Sequence, residues 1–89
     1  MIERNVQIRN RLGLHARAAV KFVNTANRFA ADVRIVKDGS EIDGKSILGI
    51  LTLAATQGSS ILLRLKGDDE KAALQALVEL IDGRFGEKE

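Results

Sequence analysis

Hydrophobic and polar positions alternate along this chain in two periods, and the switches between them mark out its elements. Val6 and Ile8 alternate with Asn5, Gln7 and Arg9, the period of two expected of a strand with one buried face. From Ala16 the period lengthens. Ala19, Phe22, Val23 and Ala26 follow i, i+3, i+4, i+7 and share one face of a helix ending near Asn27. Val33 and Ile35 alternate with Asp32 and Arg34, Asp38-Gly39 has tight-turn composition, and Ser40-Glu41-Ile42 returns, which predicts a hairpin. Asp43-Gly44-Lys45 breaks it. Ser46 stands where an N-cap belongs, ahead of a short helix over Ile47 to Leu53 that Gly49 weakens. Gln57-Gly58-Ser59-Ser60 reads as a turn, and Ile61, Leu63 and Leu65 alternate with Leu62, Arg64 and Lys66 as the last strand. Gly67-Asp68-Asp69-Glu70 opens a final helix with acids in its first turn, where the dipole favours them. Its buried stripe is Leu74, Leu77, Val78 and Ile81, Gly83 is its stop, and residues 85–89 read as a loosely held tail.

The order β-α-β-β-α-β-α predicts an α+β fold: an open-faced two-layer sandwich, with a four-stranded mixed or antiparallel sheet and three helices on one face. A chain of 89 residues that is 45% hydrophobic suits a single domain, 1–89, with one core. The absence of cysteine and the single histidine exclude a disulfide framework, a thiolate metal site and a zinc site of clustered histidines. No metal and no cofactor is expected. The N-terminus lacks the apolar run of a signal peptide, and the longest apolar stretches fall well short of the ~20 residues that span a bilayer. The expectation is a cytoplasmic protein without membrane insertion, and a monomer by default.

Charge changes the picture more. Residues 1–45 hold nine Lys/Arg against five Asp/Glu, and residues 46–89 hold five against seven. Arg4, Arg9, Arg11, Arg17 and Lys21 gather in sequence around the lone histidine, a patch suited to steering an acidic partner, or else simply a solvated surface. The stretch Asn10-Arg11-Leu12-Gly13-Leu14-His15-Ala16-Arg17 sets His15 just before the first helix. An imidazole takes up and releases a phosphoryl group near neutral pH, and the N–H groups of a helix start, here Ala16, Arg17 and Ala18, lack intrahelical partners and favour anions. Arg17 adds a guanidinium suited to bidentate phosphate recognition, and Gly13 a tight turn. The competing reading is that His15 merely caps a helix. No spacing links Ser40, Ser59 or Ser60 to His15 and a carboxylate as a hydrolase triad would require.

These residues carry a resemblance. Asn10 to Ala19 is similar to the histidine motif of the histidine-containing phosphocarrier (HPr) family of the bacterial phosphoenolpyruvate-dependent phosphotransferase system, and Gly44 to Leu53 is similar to its second motif. The family's element order is the one read above, so the resemblance covers essentially the whole chain. It implies that His15 accepts a phosphoryl group from phosphorylated enzyme I and passes it to a histidine on an enzyme IIA. Arg17 would neutralise charge on the transferring group. The protein would be a stoichiometric carrier, not an enzyme. Ser46 would be a target for a regulatory serine kinase and phosphatase, and Ile47, Leu48 and Leu51 would form a docking patch, with Ile50 and Leu53 pointing inward. One departure is visible: Ala18 stands where the family usually has proline. Alanine is also a good helix former, so the helix should survive.

Two other readings stay open. Within the family, the run Leu80 to Glu87 is similar to tails of the nitrogen-related regulatory branch, whereas the Ser46 motif is closer to carriers regulated by a serine kinase. Outside it stands a small RNA-binding α+β domain. Three Phe with no Tyr or Trp, and no Gly-x-x-Gly loop between helices, argue against nucleic acid as a partner.

Overall fold

In the computed structural model, which describes residues 1–89, the chain runs β1 (Ile2–Gln7), α1 (Ala16–Ala26), β2 (Asp32–Lys37), β3 (Ser40–Asp43), α2 (Ile47–Thr52), β4 (Ser60–Lys66), α3 (Glu70–Asp82) and a closing 3-10 turn, Arg84–Gly86. The strands form one sheet in the order β1-β4-β2-β3, and every pairing is antiparallel. Ile35 therefore lies opposite Leu63 and Ile42, and Val33 opposite Leu65. Alternation sends Val33, Ile35, Ile61, Leu63 and Leu65 to one face, where they are buried with Phe22, Ile50, Leu77 and Ile81 in a single core. This is the open-faced sandwich the patterning predicts, with its sheet resolved as antiparallel.

Local chemistry explains the boundaries. Asp38 and Gly39 both adopt positive φ, 50° and 82°, the conformation of a two-residue type I′ hairpin turn whose twist matches that of the strands. Strand β1 begins three residues earlier than the alternation at Asn5 suggests, because Ile2 pairs with Leu65 on the neighbouring strand. Ile8 lies beyond the strand yet stays buried, its N–H donating to the Ser59 carbonyl at 2.8 Å. On α3, Val78 is only partly covered, and Ala73 takes its place in the buried stripe.

The tail departs from expectation. Residues 85–89 are not loose: Phe85 is 1% exposed and joins the core, Lys21 Nζ donates to its carbonyl at 2.6 Å, and the Arg11 N–H donates to the Glu89 carbonyl at 2.9 Å. Arg84 and Phe85 sit at φ 57° and 54°, which costs roughly 1–2 kcal/mol each for residues bearing a Cβ. Burying a phenylalanine contributes about 2–3 kcal/mol and a hydrogen bond about 1 kcal/mol more, so the segment is held by a narrow margin.

Asp69 fastens the other end of the sandwich. Its carboxylate accepts the N–H groups of Ala30 and Ala31, both at 2.8 Å, and joins the start of α3 to the entry of β2. These backbone donors, Ala30 first, hold its carboxyl below the ordinary 3.8 against the opposing effect of desolvation. Asp69→Ala is expected to be less stable than the parent at neutral pH. The parent's advantage should be complete above the ordinary carboxyl value and should shrink as pH falls through the lower folded one. Urea titrations of both proteins across acid pH check this.

Candidate functional site

The loop between β1 and α1 presents the site, and its path is set by Asn10 and Gly13. Asn10 is fully buried, and its Nδ2 donates to the Gly13 carbonyl at 2.8 Å and to Glu87 Oε1 at 2.9 Å. Gly13 adopts φ +66°, and a Cβ built there would collide with the Ala55 carbonyl oxygen. Only glycine lets the chain pass this close, and the Leu14 N–H then bonds to that same carbonyl at 2.9 Å. Leu14 is buried, and the chain turns directly into α1.

His15 is the N-cap residue of α1, extended at φ −73° and ψ 177°, and its carbonyl accepts from the Ala19 N–H at 2.8 Å. Its ring makes no capping hydrogen bond, so simple capping does not occupy the imidazole. Nε2 instead lies 2.5 Å from Glu87 Oε2, and Nδ1 is the ring nitrogen without a protein partner. The side chain is 25% exposed, at the surface but not loose in solvent. Ala16 and Arg17 are exposed and Ala18 is buried, so of the three helix-start residues singled out from the sequence the first two stand at the surface. The helix forms with alanine at that third position. Arg17 makes no ion pair or hydrogen bond to the protein and lines one open depression with Arg11, Leu12, Glu87, Lys88 and Glu89.

The expected basic cluster around the histidine is dispersed. Arg9 pairs with Asp82 at 3.2 Å, Arg11 with Glu89 at 2.7 Å, and Lys21 with the Phe85 carbonyl. Arg4 lines a separate groove beside Lys71, Leu74 and Val78. Of the five basic residues that gather around His15 in sequence, Arg17 is thus the one left unpaired beside it, with Lys88 from the tail in the same depression. Glu87 supplies the counter-charge: desolvation pushes its carboxyl up, but hydrogen bonds from Asn10 and His15, together with the charges of His15 and Lys21, hold it below the usual carboxylate value.

Ser46 caps α2, its Oγ accepting from the Gly49 N–H at 3.0 Å. Ile47, Leu48 and Leu51 are exposed, Leu48 to 76%, while Ile50 and Leu53 are buried, as the resemblance implies and against the all-core reading that periodicity alone favours. Leu12 and Val20 are also exposed apolar residues that periodicity did not single out, Leu12 because it lies in a loop between Arg11 and Gly13. Glu87 was missed as well. Its partner is 72 residues away, and only the aromatic residue in an otherwise polar tail, Phe85, hints that this segment is tied down.

Residues 2–83 match the family described as PTS HPr component phosphorylation site. Among curated relatives, the phosphocarrier protein HPr of Neisseria meningitidis serogroup A is 47% identical over 89 residues, covering all of both chains. The HPr-like protein Crh of Halalkalibacterium halodurans is 43% identical over 82 residues, covering 92% of this chain and 98% of that one. The crystal structure of HPr-C-His from Thermoanaerobacter tengcongensis superposes with a TM-score of 0.96 at 44% identity, covering 100% of each chain.

Because Gly13 combines a left-handed backbone with a collision at any Cβ, Gly13→Ala should cost about 2 kcal/mol and lower the melting temperature by roughly 10 °C. Thermal unfolding followed by circular dichroism measures it.

Proposed function

The chain belongs to the HPr family of the bacterial phosphoenolpyruvate-dependent phosphotransferase system, and from that premise we propose that His15 is the residue on which it carries phosphate. The family's members are phosphocarriers, which take a phosphoryl group from phosphorylated enzyme I and pass it to enzyme IIA. The observation that carries the assignment is the division of labour on the imidazole. One ring nitrogen faces a carboxylate, and the other has no partner at the start of a helix beside an unpaired arginine. A phosphoryl group on Nδ1 would meet the helix's positive end, with the first-turn amides of Ala16, Arg17 and Ala18, and the Arg17 guanidinium. Such a site stabilises phosphohistidine moderately. A carrier must be charged and discharged with little free-energy change, so a deep pocket binding the phosphorylated form tightly would slow its release.

The remaining roles follow from the same placement. The protein is read as a stoichiometric carrier with no turnover of its own, a cytoplasmic monomer that meets each partner in turn. No helix is long and apolar enough to cross a membrane. Ile47, Leu48 and Leu51 form the docking patch, since exposed apolar side chains clustered on one short helix suit a transient interface. Ser46 is the site for a regulatory kinase and phosphatase. An ester on its Oγ keeps oxygens that accept from first-turn amides, while its charge repels acidic partners.

Incubation with enzyme I and phosphoenolpyruvate should add one acid-labile phosphoryl group, seen as a mass increase that His15→Ala abolishes. Full labelling of that variant contradicts the assignment. Arg17→Ala should remain folded and accept phosphate about 30-fold more slowly, the loss of one charge-assisted contact worth about 2 kcal/mol. Leu48→Ala should change stability by less than about 0.5 kcal/mol but raise the apparent KM with enzyme I about tenfold, which steady-state relay kinetics resolve.

A further inference from the structure

A histidine ring on a protein surface exchanges rotamers and tautomers quickly unless a partner fixes it, and only a nitrogen bearing a lone pair attacks phosphorus. The partner here is Glu87, and it is itself held. Asn10 Nδ2 donates to Oε1, leaving Oε2 for His15 Nε2. The segment carrying Glu87 is anchored by the buried Phe85 ring, by Lys21 on the Phe85 carbonyl and by the Arg11 N–H on the Glu89 carbonyl.

We propose that Glu87 is a positioning residue for phosphoryl transfer: its Oε2 accepts the Nε2–H of His15 and thereby leaves the lone pair on Nδ1. The inference rests on His15 being the phosphoryl acceptor. In the transfer step the Nδ1 lone pair forms the new N–P bond, the bond from phosphorus to its donor atom on phosphorylated enzyme I breaks, and the electron pair of that bond returns to the donor atom. The proton on Nε2 stays in place. The phosphorylated ring then carries formal positive charge, which the Glu87 carboxylate faces, as a carboxylate does behind a catalytic imidazole. Discharge to enzyme IIA reverses these events, with the same carboxylate in attendance.

The geometry makes the isosteric variant the telling one. Asn10 is fully buried and donates one Nδ2 hydrogen to the Gly13 carbonyl and the other to the Oε1 position, so that position must hold an acceptor. In Glu87→Gln the amide oxygen takes it, the amide NH2 faces His15 Nε2, and the ring proton is driven to Nδ1. Glu87→Ala only releases the ring. Phosphoryl acceptance from enzyme I should therefore slow about tenfold in Glu87→Ala and about 100-fold in Glu87→Gln, although glutamine is the closer mimic in shape. Two-dimensional NMR of 15N-histidine-labelled protein at about pH 9, above the ordinary imidazole range, should show the proton on Nε2 in the parent and on Nδ1 in Glu87→Gln. Equal rates for Glu87→Gln and Glu87→Ala, or an Nε2–H ring in all three proteins, would overturn the role and leave Glu87 as a fastening of the tail. Label loss in His15→Ala, measured alongside, separates that failure from a wrong choice of phosphoryl acceptor.

Discussion

The buried carboxamide of Asn10 is the contact on which the site depends. Two segments more than seventy residues apart, the loop before α1 and the stretch after α3, meet at this side chain, which donates to Gly13 on one and to Glu87 on the other. What this contact gives the fold is definition: the loop's turn, the carboxylate's orientation and, through that carboxylate, the attitude of the histidine ring all follow from one amide.

Around this clasp the sandwich acts as a rigid base and the site as an edge. The sheet and the buried faces of α1 and α3 share one apolar core, so the start of α1 is held firmly while His15 and Arg17 remain at the surface. Rigidity behind and openness in front suit a group that must be reached by two different proteins. The segment over the site is held by a smaller margin, since the left-handed backbone at Arg84 and Phe85 offsets much of what Phe85 burial contributes. Its exposed ion pairs, such as Arg11 with Glu89, add little in water.

The sheet and its turns were legible because their signals are local. Alternation at Val33 and Ile35 and the Asp38-Gly39 pair specify a hairpin within a dozen residues, and the i, i+3, i+4 spacing of α1 names its buried face. His15 and Arg17 were legible because they flank a helix start. The tail was not, because the residues that hold it, Lys21, Asn10 and Arg11, lie in the first quarter of the chain and no periodicity connects them to Phe85 and Glu87. The basic cluster misled for the same reason. Arg9, Arg11 and Lys21 are each matched by a partner from the far end and Arg4 lies in a separate groove, which leaves Arg17 of that cluster for an incoming anion. Gly49, which counts against a helix by propensity, sits where the Ser46 hydroxyl accepts its N–H.

The most direct test of the central claim is the coupling between phosphorus and nitrogen in the phosphorylated protein. With 15N-labelled histidine and phosphate delivered by enzyme I, 31P–15N NMR should show phosphorus bonded to Nδ1 of His15 while Nε2 retains its proton. Coupling to Nε2, or a phosphoryl signal with no coupling to the ring, would contradict it.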